Sequence, residues 1–374
     1  MAKRGNGEGS IYWVEARKRF AGGYVDVDGR RRVVYAETRK EANRKLTAAL
    51  ETRERGVPAP SQTLALGTYL EQWLEDTIRP GRRPGTYLRY ANAVNNHINP
   101  VIGKVKLARV GPQHIQHLQR ACVDKGLGRA SIELVRATLS GAFTQALRWG
   151  LVLRNPIPLV EPPAGEERPR QALSPEQATL FLRAAYGHDF EHLFALMLAT
   201  GLRIGEALGL RWLDVDLPRR RLHVRQQLTV LPGRPVSFTA PKSKSGRRTI
   251  PLAAVAVTAL EAQKARIQSY PVRGVADLVF ADELGRPLVG RDVERKFKDV
   301  LKLAGLPVTL TPHCLRHSAA TYLMAAGAPP KVIMELMGHS SLAMTAAYQH
   351  VMDAALDDAA ERLDSILGRV AAHS

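Results

Sequence analysis

Residues 311–350 read TPHCLRHSAATYLMAAGAPPKVIMELMGHSSLAMTAAYQH. Thr311-Pro312 starts a helix, and His313 and Arg316 fall on its first turns. Three residues make about one helical turn, so the two side chains project the same way. His317 lies four residues from His313 and is also near. Gly338 precedes His339 in a turn, and the next helix, 342–348, carries Tyr348 near its end. Upstream, ATGLRIGEALGLRW (199–212) places Arg203 between an apolar helix and the start of another, with Glu206 one turn on. Gly201 and Gly205 let the backbone pass tightly there. Between these segments, PKSKSGRRTIPL (241–252) sets Lys242 and Lys244 in an expected hairpin turn between two strands.

Each residue alone has an ordinary reading. Arg203 could cap a surface helix, the lysines could touch backbone phosphates, and a lone tyrosine usually packs. Together they form a set. Two arginines, a lysine and two imidazoles around one tyrosine suit attack on a phosphodiester. A guanidinium presents a planar fork to two phosphate oxygens, and Glu206 can orient that of Arg203. A lysine on a turn can reach a leaving oxygen and deliver a proton. A phenol with a pKa of about 10 needs nearby positive charge to act as a nucleophile at neutral pH. His313, Cys314, His317 and His339 do not read as a metal site. No second cysteine or carboxylate completes them, and Arg316 in their midst repels a cation.

Composition points to the partner. The formal net charge is +19 in 374 residues, with a pI near 10.3. The excess is +6 over residues 1–60, +7 over 61–170 and +6 over the remainder. A basic balance along the whole chain fits contact with a phosphate backbone over its length. Two distant cysteines, Cys122 and Cys314, make no disulfide framework and fit a reducing compartment. The N-terminus MAKRGNGEGS lacks the apolar run of a signal peptide, and no stretch is long enough to span a bilayer. The expected location is the cytoplasm, on DNA, with no membrane association.

The remaining sequence divides into modules. Residues 1–58 read as a three-stranded sheet followed by a helix, with turns at Gly22-Gly23 and Asp28-Gly29. From Arg39 to Arg55, Ala42, Leu46, Ala49 and Leu50 share a helical face. Tyr12, Trp13, Arg17, Lys18 and Arg19 are candidate DNA contacts of that sheet. Residues 62–156 read as four helices. Thr86 is the expected N-cap of one, and Asn99-Pro100 its expected end. Residues 157–172, rich in Pro, Glu and Arg, read as a linker. Ser174-Pro175-Glu176 then opens residues 173–374, mostly helical with a strand-rich insert at 221–251. The fold class is multidomain and mainly α, with a small β module at the N-terminus and a small sheet in the last domain. After Tyr348, apolar residues from Val351 to Leu367 form a helical stripe.

The segments TGLRIGEALGLRWLDVD, PKSKSGRRTIPL and the stretch quoted first resemble the catalytic domain of the tyrosine recombinases, the phage-integrase family. Residues 62–156 resemble that family's core-type DNA-binding domain, and residues 1–58 its arm-type DNA-binding domain. The resemblance implies the tyrosine recombinase fold. It implies that Tyr348 attacks the scissile phosphate, forming a 3′-phosphotyrosyl link and freeing a 5′-hydroxyl. Arg203 and Arg316 then clamp the non-bridging oxygens, His313 moves the nucleophile's proton, and His339 hydrogen-bonds the phosphate. The turn lysine protonates the leaving oxygen, with Lys242 favoured because it follows the strand directly and Lys244 the alternative. Glu206 stands where the family often has a supporting acid. No cofactor and no metal is implied. The implied partners are duplex DNA with core and arm attachment sites, further copies in a homotetramer, a DNA-bending protein and an excisionase. The tail after Tyr348 would dock on a neighbouring copy. Chromosome-dimer resolvases of the same family usually lack an arm-type domain, and a DNA-binding regulator has no use for the tyrosine.

Overall fold

The structure, a computed structural model, describes residues 9–27, 29–54, 63–163, 171–241, 244–270 and 277–338. The chain separates into two compact units, Met1–Glu167 and Arg168–Ser374. Within the first, β1 (Ser10–Val14), β2 (Arg19–Val25) and β3 (Arg31–Ala36) form an antiparallel sheet in that order, with Trp13 opposite Phe20. Helix α1 (Arg39–Glu54) follows and buries Ala42 and Leu46 completely. Tyr12 and Trp13 are 40% and 45% exposed, so both aromatics remain at the surface. Trp13 packs edge-on against Phe20, and the Arg17 guanidinium lies 4.6 Å from the Tyr35 ring centre. Lys18 takes a left-handed conformation at φ 46°, and Arg19 pairs with Glu37 at 3.6 Å.

The helical part of the same unit begins with α2 (Leu66–Trp73), whose Leu66, Tyr69, Leu70 and Trp73 are all buried. Each such side chain contributes about 1.5–3 kcal/mol on burial. The Tyr69 hydroxyl donates to the Ala142 carbonyl at 2.7 Å, and Trp73 stacks on Tyr90. Helix α3 (Pro84–Ala93) starts two residues before Thr86, because Pro84 fills a first-turn position and Arg83 stands at the cap. Asn99-Pro100 does not end this helix. The chain passes through a π turn, Val94–Ile98, and continues helically over Asn99–Ile102. The Asn99 N–H donates to the Val94 carbonyl, five residues back, and the widened turn accommodates the proline ring. Arg79-Pro80 is handled identically, after a π turn over Leu74–Ile78. Helices α4 (Pro112–Asp124) and α5 (Arg129–Arg148) complete the core. The expected linker starts later than residue 157. Ile157 and Val160 are buried in this core, and Gln119 donates to the Glu161 carbonyl.

In the second unit, the Leu173 N–H donates to the Ser318 hydroxyl at 2.8 Å. Ser174 caps α6 (Pro175–Ala185), accepting from the Gln177 N–H. Helices α7 (Glu191–Thr200), α8 (Ile204–Leu208), α9 (Ala254–Gln268), α10 (Gly290–Leu303), α11 (His313–Ala325) and α12 (Pro330–Met337) follow. Phe181, Phe194 and Phe297 meet in its core at centroid distances of 5.0–5.6 Å. Strands β4 (Val215–Asp216), β5 (Arg221–Val224) and β8 (Arg248–Pro251) make one antiparallel sheet, and β6 (Gln227–Thr229) pairs with β7 (Ser237–Thr239) in another. The lysine segment is therefore not a hairpin turn. It crosses from β7 to β8, which belong to different sheets, with a 3-10 turn at Lys244–Gly246. Among the described residues, no helix is long and apolar enough to cross a membrane.

Candidate active site

Helix α7 ends at Gly201, in the left-handed region at φ 64°, and two residues later Arg203 caps α8. The Arg203 N–H donates to Glu206 Oε2 at 3.0 Å, and its Nη1 donates to Glu206 Oε1 at 2.7 Å. One carboxylate thus fixes both the backbone and the side chain of this arginine. Its guanidinium remains about a third exposed while Glu206 is buried. Arg316, on the first turn of α11, is 2% exposed, and its Nη1 donates to the Gly201 carbonyl at 2.6 Å. His313, one turn before it, is exposed, and its ring meets His317 edge-on at 4.5 Å.

The convergence occurs at the end of α12. Helix termini leave their last carbonyls without intrahelical partners. Here three consecutive carbonyls each accept from a different arginine. Arg248 Nε donates to Leu336 O at 2.6 Å, Arg316 Nη2 to Met337 O, and Arg203 Nη2 to Gly338 O at 3.1 Å. The negative end of the helix dipole strengthens all three contacts. Gly338, at φ 64°, turns the chain out of α12 immediately before His339. The structure therefore brings Arg203, Glu206 and Arg316 to the turn that leads into His339. Lys242, His339 and Tyr348 lie outside the described residues, as does the side chain of Lys244 and the apolar stripe after Tyr348.

Sequence reading missed Arg248. Its side chain is 6% exposed and meets both oxygens of Glu206, with Nη2–Oε2 at 2.9 Å and Nη1–Oε1 at 3.2 Å. The signal was alternation. In RTIP, Arg248 shares a strand face with the buried Ile250, so it points toward the core. Burial opposes the charge on Glu206, but the hydrogen bonds and charge of Arg248, with the charge and backbone N–H of Arg203, outweigh it. The carboxyl stays below the usual carboxylate range. Cys314, on α11, is buried in the hydrophobic core, and that burial pushes its thiol up to about 12, which leaves it inert as a nucleophile.

Comparison with known proteins gives the family. The phage integrase family pattern matches residues 173–355, and the phage integrase N-terminal SAM-like domain matches residues 65–122. An integrase of Streptomyces ambofaciens is 30% identical over 367 residues, covering 92% of each chain. A XerC-like tyrosine recombinase of Caldanaerobacter subterraneus subsp. tengcongensis is 28% identical over 360 residues, covering 90% of this chain and 92% of that one. Among solved structures, the Tn1549 transposon integrase in complex with a circular intermediate DNA superposes with a TM-score of 0.69 at 25% identity, over 76% of this chain and 94% of that one. The class these findings define is that of the tyrosine recombinases, enzymes of site-specific DNA recombination. The chain belongs to the phage integrase family and has its fold.

Proposed function

We propose that this recombinase is the integrase of a mobile element and that it works through a 3′-phosphotyrosyl intermediate. The observation that carries the reading is the meeting of Arg203 and Arg316, from motifs more than a hundred residues apart, on the consecutive carbonyls of Gly338 and Met337. Two fixed cationic forks beside the turn to His339 are the arrangement that a phosphate in transesterification needs. Fixed donors need no reorganisation as charge builds on the phosphoryl oxygens.

In this reading Arg203 and Arg316 hold the non-bridging oxygens, and His339 adds a hydrogen bond. The Tyr348 oxygen gives up its proton with the help of His313 and bonds to phosphorus. The bond from phosphorus to the 5′ oxygen breaks, and Lys242, or Lys244 in its place, protonates that oxygen. The phosphotyrosyl link keeps the energy of the broken ester, so a 5′-hydroxyl from another strand can reverse the step and rejoin the DNA. Residues 1–58 act as the arm-type DNA-binding domain, with Tyr12, Trp13, Arg17, Lys18 and Arg19 at the duplex. Residues 62–156 act as the core-type domain and residues 173–374 as the catalytic domain. The working form is a homotetramer on DNA in the host cytoplasm, aided by a DNA-bending protein and an excisionase. The Tn1549 integrase, bound to a circular intermediate DNA, supports the mobile-element reading.

Tyr348→Phe tests the mechanism. The variant should bind a core-site duplex like the parent and form no covalent adduct on a nicked suicide substrate. An adduct trapped by the variant refutes the assignment.

A further inference from the structure

We propose that Arg248 is a positioning residue for strand cleavage, acting through Glu206 on the phosphate-binding Arg203. Arg248 lies in none of the positions assigned above to bind or cleave DNA. Its side chain is 6% exposed, and all three of its guanidinium nitrogens already donate to Glu206 or to backbone carbonyls. Yet it joins three parts of the site. Its two Nη atoms grip both oxygens of Glu206, its Nε holds the Leu336 carbonyl, and Nη1 also donates to the Gly246 carbonyl at 3.2 Å. Gly246 closes the turn that begins at Lys244, and Leu336 stands three residues before His339.

Glu206 can orient Arg203 only while its own two oxygens are fixed. Each oxygen serves both arginines. Oε1 accepts from Arg203 Nη1 and Arg248 Nη1, and Oε2 accepts from the Arg203 N–H and Arg248 Nη2. Without Arg248 the carboxylate loses the partners on one side and rotates toward the remaining cation. That swings the Arg203 fork away from the phosphate. The same loss frees the Leu336 carbonyl and loosens the turn into His339. Misplacement of a clamp by about 1 Å costs on the order of 100-fold in rate, which is the loss expected for Arg248→Met. A lysine does not replace this group, because one ammonium cannot span two carboxylate oxygens and two carbonyls in a fixed plane.

This inference rests on the reading of Arg203 as a phosphate clamp, and the experiment separates the two. Single-turnover cleavage of a suicide core substrate is measured for Arg248→Met, Arg203→Lys and the double variant, beside thermal unfolding and core-site affinity. Arg248→Met should cleave about 100-fold more slowly with core-site affinity retained. In the Arg203→Lys background the same change should cost little more, because both act through one clamp. A full further loss in that background overturns the inference. Pairing Arg248→Met with Glu206→Gln replaces the buried carboxylate that has lost two of its donors with a neutral amide, and should restore the unfolding temperature without restoring cleavage. If cleavage returns together with stability, Arg248 serves only the fold and the inference fails. Undiminished cleavage by Arg203→Lys sinks the clamp reading, whereas undiminished cleavage by Arg248→Met beside a crippled Arg203→Lys sinks this inference alone.

Discussion

Gly201 and Gly338 both take φ 64°, and both sit where the arginines meet, yet replacing each with alanine has different consequences. The left-handed conformation costs an alanine about 1–2 kcal/mol at either position. What differs is the space. A Cβ at Gly338 would lie 2.8 Å from the Ser245 carbonyl oxygen and 3.0 Å from Arg248 Nη1. The first is backbone, and the second is held by Glu206 and the Gly246 carbonyl, so neither yields cheaply. A Cβ at Gly201 would lie 2.6 Å from the sulfur and terminal methyl of Met337. A thioether has three rotatable bonds and can swing aside. Overpacking against rigid neighbours adds about 1–3 kcal/mol, so Gly338→Ala should be the less stable variant by that amount. For a unit of this size the gap is about 2–12 °C in unfolding temperature. Gly338→Ala should also lose strand cleavage, since the forced shift displaces the residue before His339 and the arginine behind Glu206. Calorimetry and suicide-substrate cleavage on the two variants check this. Equal unfolding temperatures, or Gly201→Ala as the weaker variant, would refute the reasoning.

Two further outcomes follow from other parts of the molecule. Because the folded-state pKa of Glu206 is depressed, its stabilising contribution is complete above the unfolded carboxylate range and is lost as pH falls through the folded value. The unfolding temperature of the parent should therefore fall more steeply below about pH 4.5 than that of Glu206→Gln, and parallel curves would show that the carboxylate carries no such linkage. Deletion of residues 1–58 should spare cleavage of an isolated core site and impair recombination between full attachment sites. Unchanged recombination would remove the arm-binding role.

Helix positions in both units were legible in the sequence because burial and periodicity agree. Leu66, Tyr69, Leu70 and Trp73 recur at helical spacing and are all buried. Ser174-Pro175 has the chemistry of a helix start and makes the expected cap. Where reading failed, a local rule met a local compensation. Pro100 ends most helices, but a π turn lets this one pass. Ile157 looks like linker because prolines surround it, yet its side chain joins a core that reaches back as far as Leu66. The hairpin failed for a related reason. Strand alternation shows that 237–239 and 248–251 are strands but not that each pairs with an earlier one.

The site was legible where residue chemistry is distinctive and illegible where a role depends on a neighbour. Arg203, Glu206 and Arg316 stand in motifs whose residue types fit phosphate chemistry, and the structure brings them together. Arg248 stands beside Arg247 in a basic run, and nothing in that run says which of the two turns inward. The strand decides it, since Ile250 must face the core and Arg248 shares its face. Once inside, an arginine must find acceptors or leave a costly unpaired charge. It finds Glu206, already engaged by Arg203, and a carbonyl at the end of α12. The same physical demand explains why three arginines gather on Leu336, Met337 and Gly338. A helix end offers consecutive carbonyls that lack partners, and guanidiniums satisfy them. Placing the Gly338 turn and orienting the guanidinium forks of Arg203 and Arg316 are then one act of hydrogen bonding. This is why a change at Arg248, one carboxylate removed from Arg203, should register in cleavage.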